Sequence, residues 1–142
     1  MEVVKAGHSV YQLQYHVVWV CKYRRRILHP GVSTYLRRVL PKRLRSMPGV
    51  GIETIGFDED HLHLGIVIPP RYRIAAVMGR LKSPSSLHIR KTFGWLQKVY
   101  GKENIVWLPG YFVSSVGVDE DTIRRYVEHQ GRQDSGQFRM EL

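Results

Sequence analysis

The sequence predicts an α+β fold of the ferredoxin-like or RRM-like kind, an antiparallel sheet with helices on one face. Residues 11–21 are aromatic and β-branched, and 50–57 and 61–68 are similar runs joined by a short acidic connection, so all three are predicted strands. Apolar residues recur at helical spacing in 32–46 and in 73–93. With a later strand, these segments give the split β-α-β-β-α-β order.

Proline and glycine mark the expected interruptions of these elements. Pro41 predicts a kink or break in the first helix, and Ser83-Pro84 is expected to divide 73–93 into two helical pieces. Residues 104–116 are predicted to form a strand interrupted at Pro109-Gly110. Residues 1–10 are expected to be a loose leader.

A last helix is predicted at about 119–130, because acidic residues open it and suit the helix dipole. Gly117 would be a hinge before this helix, and the chain is expected to fray from Gly131 onward. We expect residues 1–142 to form a single domain, because this length is a common size for one domain.

The composition indicates an intracellular protein that binds a polyanion. Lys and Arg total 22 against 12 Asp and Glu, a formal charge of +10, and phosphates would supply the missing counter-charge. The single cysteine excludes a disulfide framework within one chain. No signal peptide or membrane-spanning run is recognised. A Walker loop is absent, so no nucleotide cofactor is expected.

His61 and His63 are the first candidate metal ligands. Side chains two apart on a strand project from the same face, with Cα atoms roughly 7 Å apart, so both imidazoles could converge on one metal ion. An isolated His-x-His pair is nevertheless more often two exposed polar residues.

Tyr126 and Gln130 lie four residues apart, on one face of the last predicted helix. A tyrosine can attack a phosphodiester and form a covalent intermediate. Its ordinary pKa of about 10 makes it a weak nucleophile, so it needs a metal or positive charge nearby. The Gln130 carbonyl could complete a metal shell. The alternative is that Tyr126 packs against the sheet and Gln130 is a surface residue.

Two basic clusters are candidate DNA-binding groups. Mixed cations and aromatics suit single-stranded nucleic acid, with charge for phosphates and rings for bases. The alternative for each cluster is a solvated face. The candidates are Lys22, Arg24, Arg25 and Arg26 beside Tyr23, with Lys82, Arg90 and Lys91 on the middle helix.

Four segments, in order, carry a resemblance to a known family: YHVVWVCKYRRRIL (15–28), DHLHLGIVIP (60–69), LPGYFVSSVG (108–117) and YVEHQ (126–130). From about Tyr11 to Gln130, the chain resembles the small single-tyrosine HUH transposases of bacterial and archaeal insertion sequences (TnpA type, IS200/IS605-like). HUH denotes two histidines flanking a bulky hydrophobe, here His61, Leu62 and His63.

The resemblance implies a metal-dependent enzyme that cuts and rejoins single-stranded DNA at insertion-sequence ends. Tyr126 would form a 5′-phosphotyrosine link, while His61, His63 and Gln130 would hold Mg²⁺ or Mn²⁺. It also implies DNA hairpins as partners, a homodimer whose tyrosine helix can complete the partner's site, and a place at the nucleoid in the cytoplasm. The alternatives are a non-catalytic RRM-like binding module and a domesticated relative that cleaves chromosomal repeats.

Overall fold

The computed structural model describes residues 3–6, 9–12, 14–115 and 119–134. In that part of the chain, no helix is both long and apolar enough to cross a membrane. The elements are β1 (Val3–Ala6), β2 (Ser9–Gln12), β3 (Gln14–Val20), a 3-10 turn (Lys22–Arg24), α1 (Pro30–Lys42), β4 (Gly51–Phe57), β5 (His61–Val67), α2 (Ile74–Thr92), α3 (Leu96–Tyr100), β6 (Phe112–Ser114) and α4 (Glu120–Asp134).

The main sheet has the strand order β4-β5-β3-β6, and each neighbouring pair is antiparallel. This order is the one that a split β-α-β-β-α-β connection produces, so the predicted fold class is confirmed. The histidine-bearing strand β5 lies in the interior of the sheet. Its pairing with β3 places His63 opposite Val18 and His61 opposite Val20.

The two faces of the sheet have different coverings. Alternate residues such as Trp19 and Leu62 enter the main core with α1 and α2, and the Trp19 indole donates to Met78 Sδ at 3.4 Å. On the other face, Val18 and Val20 pack against Val127 of α4. The last helix therefore covers the face on which the β5 histidines project.

Three local predictions are wrong. Residues 1–10, predicted as a loose leader, include β1 and the first half of β2, which pair as an antiparallel hairpin. The fraying expected from Gly131 is wrong for residues 131–134, which belong to α4, and residues 135–142 lie outside the described part of the chain. The predicted break at Ser83-Pro84 does not occur, because α2 runs through Pro84 as one helix. Its segment after the proline is held by tertiary contacts: Ser85 accepts a hydrogen bond from the Trp107 indole, and Ser86 donates to the Asn104 carbonyl.

The other interruptions agree with the sequence. Pro41 lies one residue before the end of α1, so the helix stops close to the proline rather than reaching residue 46. Trp107 makes an isolated bridge to Cys21, and β6 resumes only at Phe112, which confirms the break at Pro109-Gly110. The expected hinge at Gly117 lies outside the described residues.

Candidate active site between strand β5 and helix α4

A cleft of about 560 Å³ lies between the outer face of the sheet and α4. His61 and His63 both line it, as the alternation along β5 predicts. His61 is buried at 8% exposure, whereas His63 is exposed. The remaining polar and charged residues that line the cleft are His16, Arg24, Thr54, Asp58, Asp60, Glu120 and Arg124.

His63 lies against a glycine on the neighbouring strand. Gly56 is its register partner, and a Cβ added there would stand 2.0 Å from His63 Cε1. The imidazole therefore occupies the space that any other residue at position 56 would fill. Partial desolvation, reinforced by the nearby His61, lowers the pKa of His63. The neutral ring keeps a lone pair for a cation.

Both ring nitrogens of His61 face carboxylates. Nδ1 is 2.8 Å from Asp60 Oδ1, and Nε2 is 3.1 Å from Asp58 Oδ2. The other Asp60 oxygen accepts a hydrogen bond from Arg24 Nε at 3.1 Å. Burial alone would raise the pKa of Asp60, but the hydrogen bonds from His61 and Arg24 outweigh it and hold the pKa below its ordinary value. Asp60 is therefore a permanent anion beside the buried histidine.

These groups fit a divalent cation. A neutral His61 that donates from Nδ1 to Asp60 would turn its Nε2 lone pair toward the Asp58 carboxylate, and two acceptors facing each other favour a cation between them. Imidazole and carboxylate together form a donor set that suits Mn²⁺ and accommodates Mg²⁺. Among the described residues, no three His, Cys, Asp or Glu side chains are already gathered in a metal-holding arrangement.

Tyr126 lies on the far side of β3 from the histidine pair. Its ring packs on Phe112 of β6 at 5.4 Å between centroids, and burial raises the pKa of its phenol to about 12. Neither Tyr126 nor Gln130 lines the cleft; α4 instead presents Glu120, Ile123, Arg124 and Val127 to it. The structure thus brings His61 and His63 together in a cleft that Tyr126 and Gln130 do not line.

The first basic cluster of the sequence lies near the cleft. Arg24 lines the cleft, and Arg26 forms an exposed ion pair with Glu59 at 3.5 Å. Arg25 is exposed, and the Lys22 ammonium lies 5.0 Å from the ring centroid of Tyr23.

The middle-helix candidates divide into two kinds. Lys82 donates to the carbonyls of Leu108, at 2.8 Å, and Gly110, and burial lowers its pKa to about 8. Arg90 donates to the carbonyls of Ile105, at 3.2 Å, and Gly101. Both side chains hold the 101–110 segment in place, whereas Lys91 is exposed to solvent.

The sequence reasoning missed several residues in and beside the cleft, among them Asp60, Gly56, Asp58 and Arg124, although signals existed for two of these. Asp60 immediately precedes the histidine pair, and Gly56 is paired with His63 by the register of a short hairpin. Asp58 sits in that same connection without a pattern to distinguish it. Arg124 could be placed at the cleft only once it was known which face of α4 turns toward the sheet.

The fold and the site define a class of protein: a ferredoxin-like domain with a histidine pair on a central strand and a tyrosine-bearing helix over the same face. The profile of the family described as "Transposase IS200 like" matches residues 9–130, so the chain belongs to this family of single-tyrosine transposases. Membership implies an enzyme that cuts DNA.

Curated relatives and solved structures agree with the family. The chain is 32% identical to the transposase for insertion sequence element IS200 of Salmonella typhimurium, over 90% of this chain and 83% of that one. It is 29% identical to the ISDra2 transposase TnpA of Deinococcus radiodurans, over 92% of each.

The fold is also similar to two solved structures. A crystal structure of a protein assigned as a transposase from D. radiodurans has a TM-score of 0.75 at 28% identity, and covers 89% of this chain and 97% of that one. A REP-associated tyrosine transposase bound to a REP hairpin has a TM-score of 0.52 at 16% identity, and the match covers 94% of this chain and 76% of that one.

Proposed function

We propose that this transposase cuts and rejoins single-stranded DNA at insertion-sequence ends through a 5′-phosphotyrosine intermediate on Tyr126. The observation that carries the proposal is the cleft in which His61 and His63 project together beneath the tyrosine-bearing helix. A plain binding module has no need of a paired, carboxylate-supported histidine site beside a tyrosine helix.

In the proposed reaction, Tyr126 Oη attacks the scissile phosphorus. The Oη–P bond forms while the P–O3′ bond breaks, and the phenol proton leaves as the 3′-oxygen gains one. Rejoining is the reverse displacement by a 3′-hydroxyl, so the phosphotyrosine conserves the bond and no nucleotide is consumed. Arg24 and Arg124 line the cleft and would bind the phosphate oxygens, since guanidinium groups match phosphate geometry.

His61, His63 and Gln130 would hold a divalent ion, Mg²⁺ or Mn²⁺. When bound, the ion would supply charge stabilisation to the scissile phosphate and help to orient it. The neutral ring of His63 and the carboxylate-supported ring of His61 are suited to ligation. Gln130 does not line the cleft in the present arrangement, and we infer that α4 changes its position to bring the Gln130 carbonyl to the ion.

The required movement of α4 favours a homodimer that shares its active sites. In this chain Tyr126 is directed to Phe112, across β3 from the histidines. A helix donated by a second subunit could approach the cleft with its tyrosine face turned inward. We therefore propose that the tyrosine and the histidines of one working site come from different subunits.

DNA hairpins near the element ends are the proposed recognition targets. The REP-associated transposase is described as bound to a REP hairpin, and this chain has a similar fold and a formal charge of +10. Because that protein is associated with REP sequences, cleavage of chromosomal repeats is the alternative function for this chain. The DNA that flanks the gene would separate a mobile element from a repeat-cleaving protein.

The test is adduct formation on hairpin-bearing single-stranded DNA with Mn²⁺, followed by denaturing electrophoresis. Tyr126→Phe should form no covalent protein–DNA species, whereas Tyr35→Phe, which removes a hydroxyl from a half-buried ring on α1, should form as much as wild type. His61→Ala should lose metal-dependent cleavage. Adducts in Tyr126→Phe, or full activity in chelator, would contradict the proposal.

A further inference from the structure

An aromatic stack joins the two basic clusters of the sequence. The rings of His29 and Trp95 are nearly parallel, at 8°, with centroids 5.0 Å apart. His29 follows the basic cluster that ends at Arg26, and Trp95 lies between α2 and α3, shortly after Lys91. The segments that follow the two basic clusters therefore meet at the surface in the His29–Trp95 ring stack.

Trp95 is unusual among the tryptophans of this chain. Its side chain is 37% exposed, whereas Trp19 is fully buried and Trp107 is 7% exposed. Its neighbour His29 is also exposed. Because His29 already fixes the orientation of the indole, stacking another ring here would order few additional side-chain torsions.

A basic hollow of about 290 Å³ adjoins the stack. Gly94, next to Trp95, lines this hollow together with Arg90, Lys91 and Lys102. Arg90 is held by the carbonyls of Ile105 and Gly101, so its charge has a fixed place. No acidic side chain of the described residues lines the hollow. The hollow is therefore suited to phosphate oxygens.

His29 lies five residues along the chain from Arg24 of the active-site cleft. Arg24 lines the cleft, and the chain from there to His29 runs beside the start of β5, where the Leu28 amide donates to the Glu59 carbonyl at 3.0 Å. Because Ile27 and Leu28 are buried, a strand leaving the cleft past Arg24 would reach the stack over the exposed side chains of Arg25 and Arg26.

We propose that the His29–Trp95 stack and its basic hollow form a second binding surface for unpaired DNA that extends from the cleavage site. An exposed ring for bases beside cations for phosphates is the combination that binds single strands. Duplex DNA has its base faces already stacked, so the surface would select unpaired nucleotides. This inference rests on the proposed single-stranded substrate.

The experiment measures binding in the Tyr126→Phe chain, so that no chemistry intervenes. The probes are one DNA hairpin without a tail and the same hairpin with a tail of about ten thymidines. Trp95→Ala should weaken binding of the tailed DNA by about 5- to 100-fold, since base–aromatic stacking has that magnitude. The tailless hairpin should bind as before.

Three further variants define the result. Trp95→Phe keeps an aromatic ring and should retain most of the affinity for the tailed DNA. Trp95→Leu keeps an apolar side chain without a ring and should lose that affinity, which tests the role of the ring even if Trp95→Ala folds poorly. Leu87→Ala removes a side chain of matched 38% exposure on α2 and should change nothing. Equal loss for tailed and tailless DNA, or no loss in Trp95→Ala and Trp95→Leu, would overturn the proposal.

Intrinsic fluorescence gives a second readout. The tail should quench the exposed Trp95, and this quenching should disappear in Trp95→Phe, while Trp19 and Trp107 report an unchanged fold. If adduct formation were to prove independent of Tyr126 while this quenching persisted, the proposed chemistry would fail and the binding surface would stand. If the tail does not quench fluorescence in a chain that retains Trp95, the proposed binding surface is wrong, and the proposed cleavage chemistry is unaffected.

Discussion

Asp60 accepts a hydrogen bond from Nδ1 of His61 at 2.8 Å, and this contact determines which nitrogen of the ring faces the cleft. With its proton on Nδ1, the imidazole presents the Nε2 lone pair on the side of Asp58. Arg24 holds the same carboxylate from the other side, at 3.1 Å. Asp60 therefore positions a proposed ligand without itself needing to touch a metal.

Removing Asp60 should weaken metal binding more than it weakens the fold. Asp60→Ala frees the His61 ring to rotate, and losing such an outer partner costs about 10- to 100-fold in metal affinity. Mn²⁺ titration followed by calorimetry measures the effect. Glu59→Ala, which removes a neighbouring exposed carboxylate paired with Arg26, is the matched control and should leave the affinity unchanged. Equal affinities in the two variants would exclude a positioning role.

Gly56→Ala should displace His63 from the cleft. The new Cβ would lie 2.0 Å from His63 Cε1, so the imidazole must turn away. We expect Mn²⁺ affinity to fall by about tenfold or more, comparable to the loss of a supporting partner. Gly51→Ala tests the general effect of a methyl group on β4, because nothing lies within 4 Å of its Cβ position. If both variants bind Mn²⁺ alike, His63 is not a ligand in this geometry.

The phenol of Tyr126 should ionise only in strongly alkaline solution. Burial against Phe112 raises its pKa to about 12, because the phenolate loses hydration there. The difference in ultraviolet titration between wild type and Tyr126→Phe should therefore have a midpoint near 12. Phe112→Ala should move that midpoint toward the ordinary value of about 10. Because the folded state holds the phenol proton more tightly than the unfolded state, protonated Tyr126 contributes to the free energy of unfolding below pH 10. This contribution is lost as pH rises toward 12.

A midpoint near 10 in the protein alone would show that Tyr126 is already exposed to solvent. In that case burial against Phe112 would not be what keeps the phenol protonated. The same titration with hairpin DNA bound asks whether substrate changes the surroundings of the phenol.

The strands could be predicted from sequence because alternation and turn residues mark each one locally, and their succession with the helices is that of the split β-α-β-β-α-β fold. The fate of Pro84 could not, since the helix is maintained through that proline by Ser85 and Ser86, whose partners Trp107 and Asn104 lie some 20 residues away. Tertiary contacts of this kind outweigh the local effect of a proline, and they leave no periodic signal in the sequence.

The same contrast separates the two halves of the site. His61 and His63 share a face because they are two apart on one strand, and this follows from strand geometry alone. Tyr126 and Gln130 share a face of a helix, but the side of the sheet toward which that face turns depends on Ile123, Val127 and Phe112. Helical spacing determines which residues are neighbours on the helix, not which strand they contact.

Gly131 allows the end of α4 to lie directly on Arg24. A Cβ at this position would stand 2.1 Å from Arg24 Cδ, so Gly131→Ala must push the guanidinium away from Asp60 or lift the helix. In a free helical position the same change stabilises by about 0.5–1 kcal/mol. Gly79→Ala, on α2 with nothing within 4 Å, should show that gain in urea unfolding.

Gly131→Ala should show none of that gain, and it should also lower Mn²⁺ affinity, since a displaced Arg24 leaves Asp60 with one partner fewer. The two glycines have the same intrinsic helix preference, so the difference between their free energies of unfolding isolates the contact with Arg24. Equal stabilisation in both variants, with unchanged Mn²⁺ affinity, would show that α4 does not press on Arg24. The position of the tyrosine helix would then be independent of the Asp60–His61 pair.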